Sequence, residues 1–170
     1  LTPDHLNRHH TMEAYGAAKA RIFENQDESG YCIVNYDDKL CCGLTKDCKA
    51  KVIPFSIREE LPLGAYLRAD GMLVLRNEEG REIELCHRNE LKIIGDHNVQ
   101  NALAAAAISY FSGIDAETIH ESLLAFGGVP HRLEYCGEIG GVKFYNDSKG
   151  TNVDAAVIAL KAIQKNILLI

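Results

Sequence analysis

Four groups of polar residues in this sequence have types and spacings that chemistry can use. In the first, Asp4-His5 sets a carboxylate beside an imidazole, and Tyr15 and Lys19 follow one helical turn apart. A lone Asp-His pair in a loop either caps a turn or contributes to a metal site. Lys19 falls with Met12, Tyr15, Ile22 and Phe23 on the stripe that a helix would bury. An ammonium there either snorkels past the helix edge or loses its proton. A neutral lysine amine can add carbon dioxide and become a carbamate, which turns a cation into an anionic metal ligand.

The second group, Gly95-Asp96-His97-Asn98-Val99-Gln100-Asn101, puts two asparagines three apart at a helix start, so both carboxamides share one face. Either Asn98 or Asp96 caps the helix, or the amides donate and accept together along a purine edge. The third, Pro130-His131-Arg132-Leu133-Glu134, offers an arginine that either pairs with Glu134 or holds a phosphate in bidentate fashion. The fourth, Asn146-Asp147-Ser148-Lys149-Gly150-Thr151-Asn152, follows a strand and precedes a helix. Lysine, hydroxyls and a helix N-terminus suit an anion, and a capped turn uses the same residues. No G-x-x-x-x-G-K-[ST] phosphate loop occurs in these residues.

The elements that must position these groups alternate in type. Helical spacing and the absence of proline predict a helix over Thr11 to Asn25. Strands are expected at Tyr31 to Tyr36, Val52 to Phe55, Tyr66 to Ala69, Met72 to Arg76 and Arg81 to Leu85, with Asp70-Gly71 and Glu79-Gly80 as hairpin turns. Asp96 opens an alanine-rich helix to Ser112, stopped by Gly113. Asp115 caps the next helix, Ile114 and Ile119 stand at staple positions, and Gly127-Gly128 end it. From Leu133 the pattern is strand, Gly140-Gly141 turn, strand to Tyr145, polar loop, helix over Val153 to Ile163, and an apolar strand at Ile167 to Ile170. The glycines and Pro130 set a domain boundary near 127–130. Leu1-Thr2-Pro3 reads as the exit from a strand, and both ends read as cut.

Composition narrows the class. The chain has 170 residues, 46% hydrophobic and 25% charged, enough for one domain or one and part of another. A net charge of -6 argues against a nucleic-acid or anionic-membrane partner, because a polyphosphate surface calls for a basic face. The polar start carries no signal-peptide core and no apolar run reaches membrane-spanning length, which points to the cytoplasm. Six scattered cysteines read as reduced thiols, and Cys41, Cys42 and Cys48 lack paired zinc-ligand spacing.

Taken in order, Thr2-Pro3-Asp4-His5-Leu6-x-Arg8-His9, Tyr15-x-Ala17-Ala18-Lys19, Gly95-x-His97-Asn98-x-x-Asn101, His131-Arg132-x-Glu134 and Asn146-Asp147-Ser148-Lys149-Gly150-Thr151-Asn152 resemble the Mur ligases. The resemblance covers nearly the whole chain. Asn7 departs from it, where the family usually has Asp. The last block resembles the D-glutamate-adding branch; other branches carry an Asp-Tyr-Ala-His type of sequence there.

The resemblance implies an α/β fold: a partial central ATP-binding domain over 1–128, lacking its P-loop, then the start of a Rossmann-like C-terminal domain over 129–170. It implies a ligase that uses ATP and magnesium to join D-glutamate to UDP-N-acetylmuramoyl-L-alanine in peptidoglycan synthesis, with those small molecules as its partners. His5 would bind magnesium, and Lys19, as a carbamate, would serve a second ion. Asn98 and Asn101 would contact adenine, and Arg132 and Asp147 the phosphate and ribose, with Ser148 near them. Lys149 and Thr151 would stand beside the acyl phosphate and incoming amino acid, with His131 close by. The 170 residues alone are expected to be inactive. Other expectations are another Mur ligase or a folylpolyglutamate synthase, or, in a different class, a non-catalytic nucleotide- or metal-binding module.

Overall fold

A computed structural model describes residues 1–163 and 166–170. After two short helices, α1 (Leu6–His9) and α2 (Met12–Ala20), and a 3-10 turn at Arg21–Phe23, the chain enters a five-stranded sheet. Its strands are β1 (Tyr31–Asn35), β2 (Lys51–Ser56), β3 (Gly64–Leu67), β4 (Met72–Arg76) and β5 (Glu82–His87), in that spatial order. The first three run parallel and the last three antiparallel, so the sheet is mixed. Helix α3 (Lys39–Leu44) makes the crossover from β1 to β2. The antiparallel half turns at Gly71 (φ 91) and Gly80 (φ 78), the positions expected from the sequence.

One helix covers the sheet because its composition lets it come close. Helix α4 (Asp96–Phe111) buries Val99, Ala102, Leu103, Ala106 and Ala107, a 3.6-residue stripe of mostly small side chains. They meet Ile53, Leu73 and Leu75, which are all fully buried. Helix α5 (Ala116–Ala125) is capped by Asp115, which accepts the Thr118 N–H at 2.9 Å. It sets Ile119 into the same core, while Ile114 stays half exposed. Gly64 marks the tightest approach: with φ +104, a Cβ there would lie 1.9 Å from the Pro54 carbonyl oxygen.

A separate two-stranded sheet follows, β6 (Glu134–Ile139) and β7 (Val142–Asn146), then α6 (Val153–Ile163). Gly140 (φ 59) and Gly141 (φ 80) form the two-residue hairpin loop, where both positions need the left-handed region.

Several expectations change. The first predicted helix stops at Ala20 and tightens into the 3-10 turn, and α1 and α3 were not anticipated. Ile167 to Ile170 is irregular and exposed, not a strand. A strand needs a ladder partner, and β6 and β7 pair only with each other among the described residues. The six cysteines form no disulfide. Among the described residues no helix is long and apolar enough to cross a membrane.

Candidate functional site

The N-terminal group gathers around one ring. Tyr15 is the large side chain that α2 buries, beside Gly16, whose missing Cβ would sit 3.3 Å from Leu44 of α3. The His9 ring lies 5.3 Å from the Tyr15 ring, the His5 ring 6.5 Å away, and Lys19 Nζ stands 5.3 Å over its face. His5 itself is left-handed (φ 55), with its backbone N–H donated to Asp4 Oδ1 at 2.9 Å and its Nε2 3.4 Å from Asp4 Oδ2.

Lys19 corrects the sequence reading: it is exposed, not buried. The packed face of α2 is narrow, limited to Tyr15 and Gly16, and Ile22 of the expected stripe is 84% exposed. The amine of the exposed Lys19 therefore stands over the Tyr15 ring, a cation–π arrangement.

At the start of α4 the two asparagines do share a face. Asn101 Nδ2 donates to Asn98 Oδ1 at 3.3 Å, and Asn98 Nδ2 donates to the Ile94 carbonyl at 2.8 Å. Neither Asn98 nor Asp96 is the N-cap; Gly95 (φ 94) holds that position, and Asp96 pairs with Arg88 at 2.7 Å. Asn98 is buried and Asn101 exposed, so the pair presents its outer edge, including the Asn101 carbonyl, toward solvent.

The third and fourth groups fold against each other. The His131 carbonyl accepts the Lys149 N–H at 2.9 Å, and His131 Nδ1 lies 2.9 Å from Asn146 Nδ2. Asp147 Oδ1 accepts the Leu133 N–H at 3.0 Å, and its carbonyl accepts the Gly150 N–H at 2.8 Å. Glu134 takes the His131 N–H at 2.8 Å and makes no ion pair with Arg132, which stays exposed. Ser148, Lys149 and Thr151 are exposed along the same loop.

Two contacts join the groups. Asn152 Nδ2 donates to Asp4 Oδ2 at 3.3 Å, bringing the loop to the His5 segment. On the other side Gly95 backs onto α6, where an added Cβ would lie 2.7 Å from the Ala162 Cβ; burial and then the Arg132 charge lower the pKa of the neighbouring His97, while Asp147 and Asp96 oppose them. Thus the loop that carries Lys149 and Thr151 is tied at its end to the segment before His5, and the Arg132 and Asp147 segments are folded against each other. The sequence reading gave no role to His97 or Asn152; both lie inside motifs quoted for their neighbours, and that was the signal available.

The donor set suits a nucleotide: a carboxamide edge, an exposed guanidinium with no ion pair among the described residues, and exposed lysine and hydroxyls beside the start of α6. No group of three His, Cys, Asp or Glu side chains is arranged for a metal among the described residues. A metal here would depend on His5, a modified Lys19 and oxygens of the nucleotide.

Residues 1–109 match the model of the Mur ligase middle domain. The UDP-N-acetylmuramoylalanine–D-glutamate ligase of Caldanaerobacter subterraneus subsp. tengcongensis is 48% identical over all 170 residues, which span 36% of its length. The ligase of the same name from Thermoanaerobacter sp. is 47% identical, with 37% of its length covered. Among solved structures, MurF from Acinetobacter baumannii superposes with a TM-score of 0.72 at 22% identity, over 97% of this chain and 36% of that one. The apo form of L. casei FPGS gives 0.61 at 17%, over 96% and 40%. The chain thus spans little more than a third of the relatives it matches.

Proposed function

The chain belongs to the Mur ligase family, and from that premise we propose that it is part of an ATP-dependent ligase joining D-glutamate to UDP-N-acetylmuramoyl-L-alanine in peptidoglycan synthesis. Residues 1–128 are read as part of the central ATP-binding domain and 129–170 as the start of a Rossmann-like domain. The reaction is cytoplasmic, and its partners are these small molecules. The observation that carries this reading is the loop from Asn146 to Asn152, folded under His131 and tied through Asn152 to the His5 segment. The relatives aligned over the whole chain, that loop included, are named as D-glutamate ligases.

In this reading ATP phosphorylates the terminal carboxylate of UDP-N-acetylmuramoyl-L-alanine. The D-glutamate amine then attacks the acyl phosphate through a tetrahedral intermediate, and phosphate leaves. Asn98 and Asn101 read the adenine edge, and Arg132, Asp147 and Ser148 hold phosphate and ribose. Lys149 and Thr151 stand beside the acyl phosphate and the amino acid, with His131 next to them through its contact with the same loop. His5 and a carbamylated Lys19 would hold magnesium, which would supply positive charge to offset that of the phosphates and carboxylates. Forming the carbamate takes the Lys19 ammonium through its neutral amine, which adds carbon dioxide; two protons are released in all, and an anion replaces the cation above Tyr15.

The test is phosphate release by an intact ligase containing this chain, given ATP, magnesium and UDP-N-acetylmuramoyl-L-alanine. D-glutamate should trigger release. Release triggered only by another amino acid, or by L-glutamate with a folate, would move the enzyme to another branch. No release with any of them would favour a non-catalytic module.

A further inference from the structure

Helix α6 touches the start of α4 through bare backbone. A Cβ added at Gly95 would lie 2.7 Å from the Ala162 Cβ, so a glycine and an alanine meet where no larger pair would fit. Ala162 stands in the last turn of α6, and Ala159, three residues earlier on the same face, is the residue that α6 buries.

The backbone that Ala162 presses against is the one that holds the asparagine pair. The Ile94 carbonyl accepts Asn98 Nδ2 at 2.8 Å, and the Gly95 carbonyl accepts the Asn98 and Val99 N–H groups at 3.0 and 3.2 Å. Asn101 is fixed in turn by its 3.3 Å bond to Asn98. The other end of α6 is tied elsewhere, because Asn152 both caps the helix and donates to Asp4 at 3.3 Å. From Asn152 to Ala162 the helix rises about 15 Å. It therefore runs from the segment that carries His5 to the segment that carries Asn98.

We propose that α6 is a strut across the nucleotide site and that Ala162 is a positioning residue in it, its small side chain against Gly95 setting how far the asparagine pair stands from the Asn146–Asn152 loop. A larger side chain at 162 swings the end of α6 away from Gly95 about its anchor at Asn152. The asparagine edge and the loop then no longer match one bound nucleotide. The effect falls on ATP binding, because the bond from Asn152 to Asp4 keeps Lys149 and Thr151 near the His5 segment.

This inference rests on the reading of Asn98 and Asn101 as the adenine contacts, and separate variants test the two. Gly95, at φ 94, resists any side chain, so the contact is probed from Ala162. In the intact ligase, Ala162→Val should raise KM for ATP about tenfold, with kcat within about threefold and KM for D-glutamate within about twofold. Ala162→Gly keeps the close approach and should leave KM for ATP within about twofold of wild type, although glycine is the poorer helix former. If Ala162→Val does not fold, Ala162→Cys is read in its place. Asn101→Ala, an exposed substitution, should raise KM for ATP. An unchanged KM in Asn101→Ala refutes the adenine reading and the inference with it. With that KM raised, the inference alone is overturned if Ala162→Val has no effect on KM for ATP, if it raises KM for D-glutamate as much, or if Ala162→Gly is equally impaired.

Discussion

Asn152 donates from its carboxamide to the Asp4 carboxylate at 3.3 Å, across 148 positions of sequence. The same side chain accepts the Ala155 N–H at 2.8 Å and so caps α6. One residue therefore fixes both the start of the helix after the Lys149 loop and the distance of that loop from the His5 segment.

Asn152→Ala should cost about 1 kcal/mol, since it removes a helix cap and a partly buried hydrogen bond. Asn152→Ser keeps the cap but cannot reach Asp4, and should cost less. Urea unfolding of both variants measures the difference, and an Ala variant as stable as wild type would mean that neither contact holds α6.

Gly64→Ala tests the core register of the sheet. The new Cβ would enter the Pro54 carbonyl at a φ of +104 that alanine resists, and both strands are fixed by their ladders. A loss of at least about 3 kcal/mol in thermal unfolding is expected. A loss below about 1 kcal/mol would show that β3 can shift away from β2.

The β3–β4 turn should lose support in acid. Hydrogen bonds from Arg68 and then from the Met72 N–H bring Asp70 down to about 2 from an ordinary 3.8. A carboxylate depressed in the folded state stabilises it above its unfolded pKa, and that contribution is lost as pH falls through 3.8 toward 2. The urea midpoint should therefore fall over this window, less steeply in Asp70→Asn. Equal slopes in the two proteins would remove Asp70 from the acid response.

Lys19→Ala in the intact ligase should abolish turnover while leaving the melting temperature close to wild type, because the side chain is exposed. Added short carboxylic acids should restore part of the activity by supplying the missing carboxylate. Lys19→Arg cannot form a carbamate; near-normal turnover in that variant would leave Lys19 as a snorkelling lysine.

Much of this architecture was legible because its signals are local. The Gly140-Gly141 hairpin, the Asp115 cap and the span of α6 follow from turn chemistry, capping and periodicity within one element. Helices α1 and α3 escaped because four and six residues carry too little periodicity to read. The exposure of Lys19 was not legible either. A helical stripe indicates which residues share a face, not how much of that face a neighbour covers, and only Tyr15 and Gly16 of α2 are buried. At the candidate site, residue types marked the four groups, but their joining through Asn152 and Gly95 depends on contacts between distant segments.

The most direct measurement is the mass of the product. An intact ligase containing this chain, incubated with UDP-N-acetylmuramoyl-L-alanine, ATP, magnesium and an equimolar mixture of isotopically distinguishable D- and L-glutamate, should yield a nucleotide heavier by one D-glutamyl residue, with one phosphate released for each. A product carrying L-glutamate or another amino acid from a competing mixture, or ATP turnover without any added residue, would contradict the assignment.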